Sequence, residues 1–359
     1  MTSFEAATNP PAAAEQLAFL DRVQRLLDSG RFTATYKFAL FLALAELAVE
    51  RGDDSGATLR LSLDDIATRF LGLYWQQATP YAANGAMTVL QQNTGQQAAI
   101  IGLVGNARAN ISPDLEVVKR RPEWPGVLAQ ARSTVVTMPL KKLQTIGSGS
   151  GIVTDCFLYS HEVIKGSIEL LPGVAVCMRR FFPLLQGMVR AKWLAWIQSQ
   201  NHAALGATQD LESFMFGPTR ADLSGVKSAL LELQGGRCFY RPNVGLDPAT
   251  AQVDHFIPWA KYPCDVVTNF VLTSPKANAQ KSDHLATTRH LALWCDRNRT
   301  HRQMLADIAA DNRFESATGT INQIAAWAYS SHAAMGGLAW DASEGLVPLD
   351  GNWRAVLGI

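Results

Sequence analysis

Apolar residues recur at helical spacing from Ala14 to Glu50, with one break at Asp28-Ser29-Gly30, and predict two helices. The second is apolar on nearly every side (FALFLALAELAV, residues 38–49), so it is expected to be buried all round. In LRLSLDDIATRFLGLYW a short extended piece runs into an amphipathic helix, with Ser62 as N-cap three residues before Asp65. Residues 106–150 are loop-rich, punctuated by RRPEWPG and GSGSG. A strand or turn and then a long apolar helix are expected over Ser167–Gln200, with Trp193 and Trp196 as packing residues. The pattern breaks at Gly217-Pro218, and ADLSGVKSALLELQGGRC starts a fresh helix that ends at a glycine pair. GRCFYRPNVGL and AQVDHFIP read as extended, NFVLT as a further strand, and a helix begins near Ala277. Beyond Arg302 helical periodicity returns (MLADIAADN, TINQIAAWAYSSHAAM) before an irregular, tryptophan-containing end.

These elements predict a mainly α protein with a small α+β module. A disordered tail is expected over residues 1–20, a helical N-terminal domain over 21–216, the α+β module over 217–302 and a helical extension over 303–359. The helix, loop, strand, helix order of the N-terminal domain is seen in winged helix-turn-helix modules that bind a target or partner, and is also common in other folds.

Composition narrows the class. The chain has 359 residues, 48% of them hydrophobic, enough for substantial cores. Its longest apolar run, Phe38–Val49, is too short for a bilayer and contains Glu46, and the N-terminus lacks the basic start and apolar stretch of a signal peptide. A cytoplasmic protein without a membrane span is expected. The five cysteines form no CxxC pair, which argues for reduced thiols over a disulfide framework. With a net charge of +1, any surface for nucleic acid has to be local, as in Arg108–Lys142 and Arg220–Arg302, where basic residues outnumber acidic ones.

Candidate chemistry concentrates in VDHFIPWAKYPCDVVTNFVLTSPKANAQKSDHL, residues 253–285. In a strand, loop, strand, helix unit, Asp254 and His255 at the end of the first strand can face Asn278 and Lys281, one turn apart on the helix. One carboxylate and one amide oxygen (Asp254, Asn278) suit a hard divalent cation, and a neutral imidazole (His255) can deprotonate water. Lys281 can neutralise a phosphate, and Asn269 can brace the loop or orient the imidazole. That combination suits phosphodiester hydrolysis. His284 and Asp283 read as capping or surface residues, and the remaining histidines as structural or exposed.

The segment resembles the HNH (ββα-metal) nuclease motif in its Asn-terminated variant, with His255, Asn269 and Asn278 at the three signature positions. Its spacing and the Lys281-Ser282-Asp283 continuation are similar to the HNH domain of RNA-guided CRISPR effectors, and DHFIPW with its upstream CFY to HNH proteins of bacterial defence loci. The resemblance covers roughly Gly235–Leu285. It implies an HNH nuclease domain at 217–302, in a metal-dependent DNA endonuclease or nickase, with His255 as general base, Asn269 and Lys281 assisting, and Asp254 and Asn278 holding one Mg²⁺ or Mn²⁺. A role in anti-phage defence or restriction, with partner proteins of such a system, is implied in turn. The motif reads a phosphate and so does not separate DNA from RNA. Many relatives hold a structural zinc with two CxxC pairs; Cys238, Arg241, Ser274 and Ala277 stand at those positions here, so no structural zinc is expected. A catalytically degenerate relative that binds nucleic acid or assembles a complex is the alternative.

Overall fold

The computed structural model describes all residues except 1–8, 31, 84–85, 148–150, 206–209, 218–222, 313 and 315–317. Most of the GSGSG stretch, the start of the expected tail and Pro218 of the expected boundary lie outside the described residues. The chain divides into two compact units, Met1–Thr219 and Arg220–Ile359, both built mainly from helices with small two-stranded antiparallel sheets. Among the described residues no helix is long and apolar enough to cross a membrane.

The first unit is organised around the helix Tyr36–Arg51, in which every residue from Phe38 to Val49 is buried. Its surroundings are the helices Leu63–Trp75, Val174–Arg180 and Phe182–Gln200. Ser62 caps the first of these by accepting from the Asp65 amide at 3.0 Å. Trp193 is fully buried and Trp196 donates to the Phe32 carbonyl, so both tryptophans pack. The apolar helix also buries Glu46 and Glu50, which Arg69 reaches at 3.5 and 2.6 Å. Burial, reinforced by Glu50 and opposed by Arg69 and Arg190, raises the Glu46 carboxyl to about 7.

Two expectations for this unit need correction. A helix covers Ala13–Ser29, inside the tail drawn to residue 20, because Glu15 bonds the Ala12 amide at 2.7 Å and Phe19 and Val23 are buried. The winged arrangement is not formed either. The strand Leu59–Ser62 pairs with Ser167–Leu170, far along the chain, while Tyr81–Ala83 pairs with Ala86–Thr88, so among the described residues there is no three-stranded wing sheet.

In the second unit the helix Ser224–Leu233 ends at Gly235 and Gly236, both with positive φ that a side chain would strain. GRCFYRPNVGL, expected as extended, is a set of turns closed by an Arg237–Gly245 bridge. The first site strand (Gln252–His255) pairs with the second (Phe270–Thr273), and Val226, Leu230, Leu305 and Ile308 from the helices Ser224–Leu233 and Arg302–Asp311 pack with Phe270 and Leu272 in one core. The site helix (Pro275–Lys281) and the anchor helix (Thr288–Thr300) follow.

The region beyond 302 is neither separate nor purely helical. Leu338–Asp341 and Gly345–Pro348 form a hairpin. Trp340 donates its amide to the Leu285 carbonyl at 2.7 Å and accepts from Thr287 at 2.9 Å, and its ring meets Tyr240 and His290 edge-on and stacked. The buried Trp340 ring thus ties this end to Tyr240 and His290.

Candidate active site

Strand alternation divides the site. Gln252 and Asp254 project from one face of the first strand, Val253 and His255 from the other. The site helix covers the first face. Pro275 opens the helix and the Ser274 hydroxyl caps it, accepting from Ala277 at 3.3 Å, so Asn278 and Lys281 lie one turn apart and meet the strand. Asn278 donates through Nδ2 to Gln252 Oε1 at 2.9 Å. Lys281 Nζ lies 3.1 Å from Asp254 Oδ2 and donates to the His255 carbonyl at 2.9 Å. The Tyr240 hydroxyl donates to the same Oδ2 at 2.6 Å.

This cluster is nearly dry: Lys281 is 0% and Asp254 8% exposed. Burial lowers the Lys281 pKa, and the Asp254 charge opposes the shift. Burial and the Asp254 carboxylate raise the Tyr240 phenol far up, which keeps its hydroxyl a donor. The Lys281 ammonium, read from its chemistry as able to neutralise a phosphate, serves here as the counterion of Asp254.

His255 turns away from this cluster. Its Nε2 is 2.7 Å from Asp265 Oδ1, and its ring stands edge-on to Trp259 and Phe270. His255 keeps 19% and Asp265 25% of their side-chain surface exposed, so the pair is open to solvent. Asn269 is fully buried. Its Oδ1 accepts from the Ile257 amide at 2.8 Å, and its Nδ2 donates to the Ile257 and Cys264 carbonyls. The amide thus closes the loop that begins after His255 and carries Asp265.

The far end of that loop is tied to the anchor helix. Trp294 Nε1, Arg297 and Asn298 all donate to the Thr268 carbonyl, and Arg297 donates also to the Phe270 carbonyl. Burial pulls the Arg297 guanidinium down to about 9, and its charge is spent on carbonyls and on Asn298. Aromatic rings support the strand pair: Phe239 and Tyr240 pack on Phe256, which stacks on Trp294 at 4.8 Å.

At three of the four positions where the resemblance would place zinc cysteines, hydrogen bonds join the neighbouring segments. Cys238 Sγ lies 3.3 Å from Thr273 Oγ1, Ser274 caps the site helix, and Arg241 donates to Gln280 and to the Ala342 carbonyl. Among the described residues no group of three or more His, Cys, Asp or Glu is arranged for a metal. The oxygen donors Asp254 and Asn278 both meet the interface of the first strand and the site helix, and their hardness fits a divalent cation, which would share the carboxylate with Lys281.

Sequence reasoning missed Asp265, the Tyr240 hydroxyl and the anchoring role of Arg297. Arg297 had a signal, since it continues the buried stripe Leu291, Trp294 at helical spacing. Asp265 had none, because only the loop closure brings it back to His255. His290, expected as structural or exposed, is buried against Trp340 and accepts from the Ala342 amide.

Residues 245–287 match the family described as HNH endonuclease, a span that contains Asp254, His255, Asp265, Asn269, Asn278 and Lys281 but not Tyr240, Trp294 or Arg297. No curated protein and no solved structure matches the chain significantly.

Proposed function

From this HNH endonuclease segment we propose that the protein is a metal-dependent DNA endonuclease or nickase that hydrolyses phosphodiester bonds. The observation that carries the reading is the solvent-open His255 imidazole, ordered by Asp265, at the end of the strand whose neighbouring residue Asp254 meets the site helix. His255 takes a proton from the attacking water. Asn269 keeps the loop around it in shape, and Lys281 together with Tyr240 fixes the Asp254 carboxylate. Asp254 and Asn278 would hold one Mg²⁺ or Mn²⁺, which when bound stabilises negative charge on the phosphate. The resemblance to HNH proteins of bacterial defence loci supports a role in anti-phage defence or restriction, in the cytoplasm and with partner proteins of such a system.

The buried ion pair favours a second reading in one respect: Asp254 already has a counterion, as in a degenerate HNH protein that binds nucleic acid or assembles a complex without cutting. Supercoiled plasmid incubated with the protein and Mg²⁺ or Mn²⁺ separates the two. Nicked circles from the parent and none from His255→Ala, at unchanged DNA affinity, are expected; general-base removal costs about 10²- to 10⁴-fold in rate. A parent that cuts neither plasmid nor RNA under these conditions sinks the nuclease reading and leaves the binding one.

A further inference from the structure

Asp265 has no part in the chemistry read from the sequence, yet among the described residues it makes the one hydrogen bond of the candidate base's imidazole. The bond from His255 Nε2 to Asp265 Oδ1 is 2.7 Å long, and among the described residues the imidazole makes no hydrogen bond through Nδ1. The ring has little freedom to turn, because the edges of Trp259 and Phe270 stand against it at 5.3 and 5.0 Å. Asp265 is held in turn. The neighbouring Cys264 carbonyl accepts from Asn269 Nδ2, Asn269 also grips Ile257, and the Thr268 carbonyl is fastened by Trp294, Arg297 and Asn298. A run of hydrogen bonds thus leads from the anchor helix through the loop to one carboxylate oxygen aimed at one ring nitrogen.

A carboxylate only accepts, so Nε2 must be the nitrogen that donates. In neutral imidazole the other nitrogen then carries the lone pair. We infer that Asp265 is the positioning residue for His255: it fixes the tautomer with the proton on Nε2, leaves Nδ1 bare to receive a proton from water, and stands opposite the positive charge that this transfer creates. The inference rests on the nuclease reading for its catalytic meaning. In the step itself, a water proton moves to Nδ1 while the water oxygen forms a bond to phosphorus. The P–O ester bond breaks, its electron pair leaves on the alkoxide oxygen, and that oxygen takes a proton from solvent as His255 later returns its own. Asp265 touches neither water nor phosphate. Its contribution is orientation, a role that elsewhere is worth about 10- to 100-fold.

The test uses the full-length protein with ¹⁵N-labelled histidine side chains. Long-range ¹H–¹⁵N spectra at pH 8 report which ring nitrogen bears the proton, and the His255 signals are those lost in His255→Gln. The expected result is Nε2–H with a bare Nδ1 in the parent, and signals averaged between the two tautomers in Asp265→Ala. Plasmid nicking at saturating DNA should fall about 10- to 100-fold in turnover for Asp265→Ala with unchanged DNA affinity, and Asp265→Glu should recover part of the loss. A merely structural role would lower folding stability without changing the tautomer. A parent with its proton on Nδ1, or Asp265→Ala with parental turnover, overturns the inference. Failure of the nuclease reading looks different: the parent itself does not cut, and the spectra alone then decide whether Asp265 sets the tautomer.

Discussion

Lys281 shows how burial changes the meaning of a residue type. On a surface its ammonium would be free for a phosphate, but with no exposed side-chain area it can only answer a charge inside the protein, and Asp254 supplies that charge. Removing one partner of such a pair leaves the other uncompensated. Lys281→Met is therefore expected to cost about 3–5 kcal/mol of stability, whereas Lys276→Met, on the exposed side of the same helix, should stay within about 0.5 kcal/mol. Urea unfolding of both variants checks the contrast, and equal midpoints would mean that the pair contributes nothing. The identities of Asp254, His255, Asn269, Asn278 and Lys281 were legible because they stand at fixed intervals in a short segment. Their environments were not, because burial depends on Tyr240 and on helices that no local pattern brings near.

At the scale of elements, the second site strand and its loop are shaped mainly from outside. Arg297 satisfies two backbone carbonyls that no strand partner reaches, Thr268 and Phe270. Arg297→Leu, which keeps much of the volume but loses every donor, should lower stability by about 3 kcal/mol and loosen the loop that carries Asp265. Hydrogen exchange of residues 257–269 should then speed up more than that of the helix Ser224–Leu233. Uniform acceleration would show that Arg297 supports the whole unit and not the loop. Element types were largely readable: the Ser62 cap, the buried helix Tyr36–Arg51, the glycine-terminated helix and the strand, loop, strand, helix order all follow local signals. Pairing was not, since the strand Leu59–Ser62 finds Ser167–Leu170, and Trp340 finds Tyr240, across long stretches of chain that no local pattern spans.

For the whole molecule, each unit carries a buried ionisable group whose folded state prefers neutrality, and the two respond to acid in opposite senses. Glu46 in the first unit is raised to about 7, so the stability it contributes is complete below its unfolded value and is lost as pH climbs through 7. His290 in the second is lowered to about 4 by burial, against the pull of Asp341, so its contribution is complete above about 6.5 and is lost as pH falls toward 4. Glu46→Gln should match the parent in urea at pH 5 and exceed it at pH 8 by on the order of 3 kcal/mol. His290→Phe should flatten the acid side of the profile instead. A Glu46→Gln variant with a parental pH slope between 5 and 8 would show that Glu46 is not titrating in the folded state.

The hairpin that brings Trp340 against Tyr240 and His290 lies some fifty residues beyond the end of the family match. The stretch that can be recognised by its letters is therefore smaller than the stretch that must fold together. A gene fragment carrying residues 245–287 into another protein would deliver the reactive side chains without the tyrosine that bonds Asp254, the tryptophan packed on that tyrosine, or the arginine that fastens the loop. Exchange of this motif between lineages, by recombination or in the laboratory, has to move the whole of the second unit or find new walls for it.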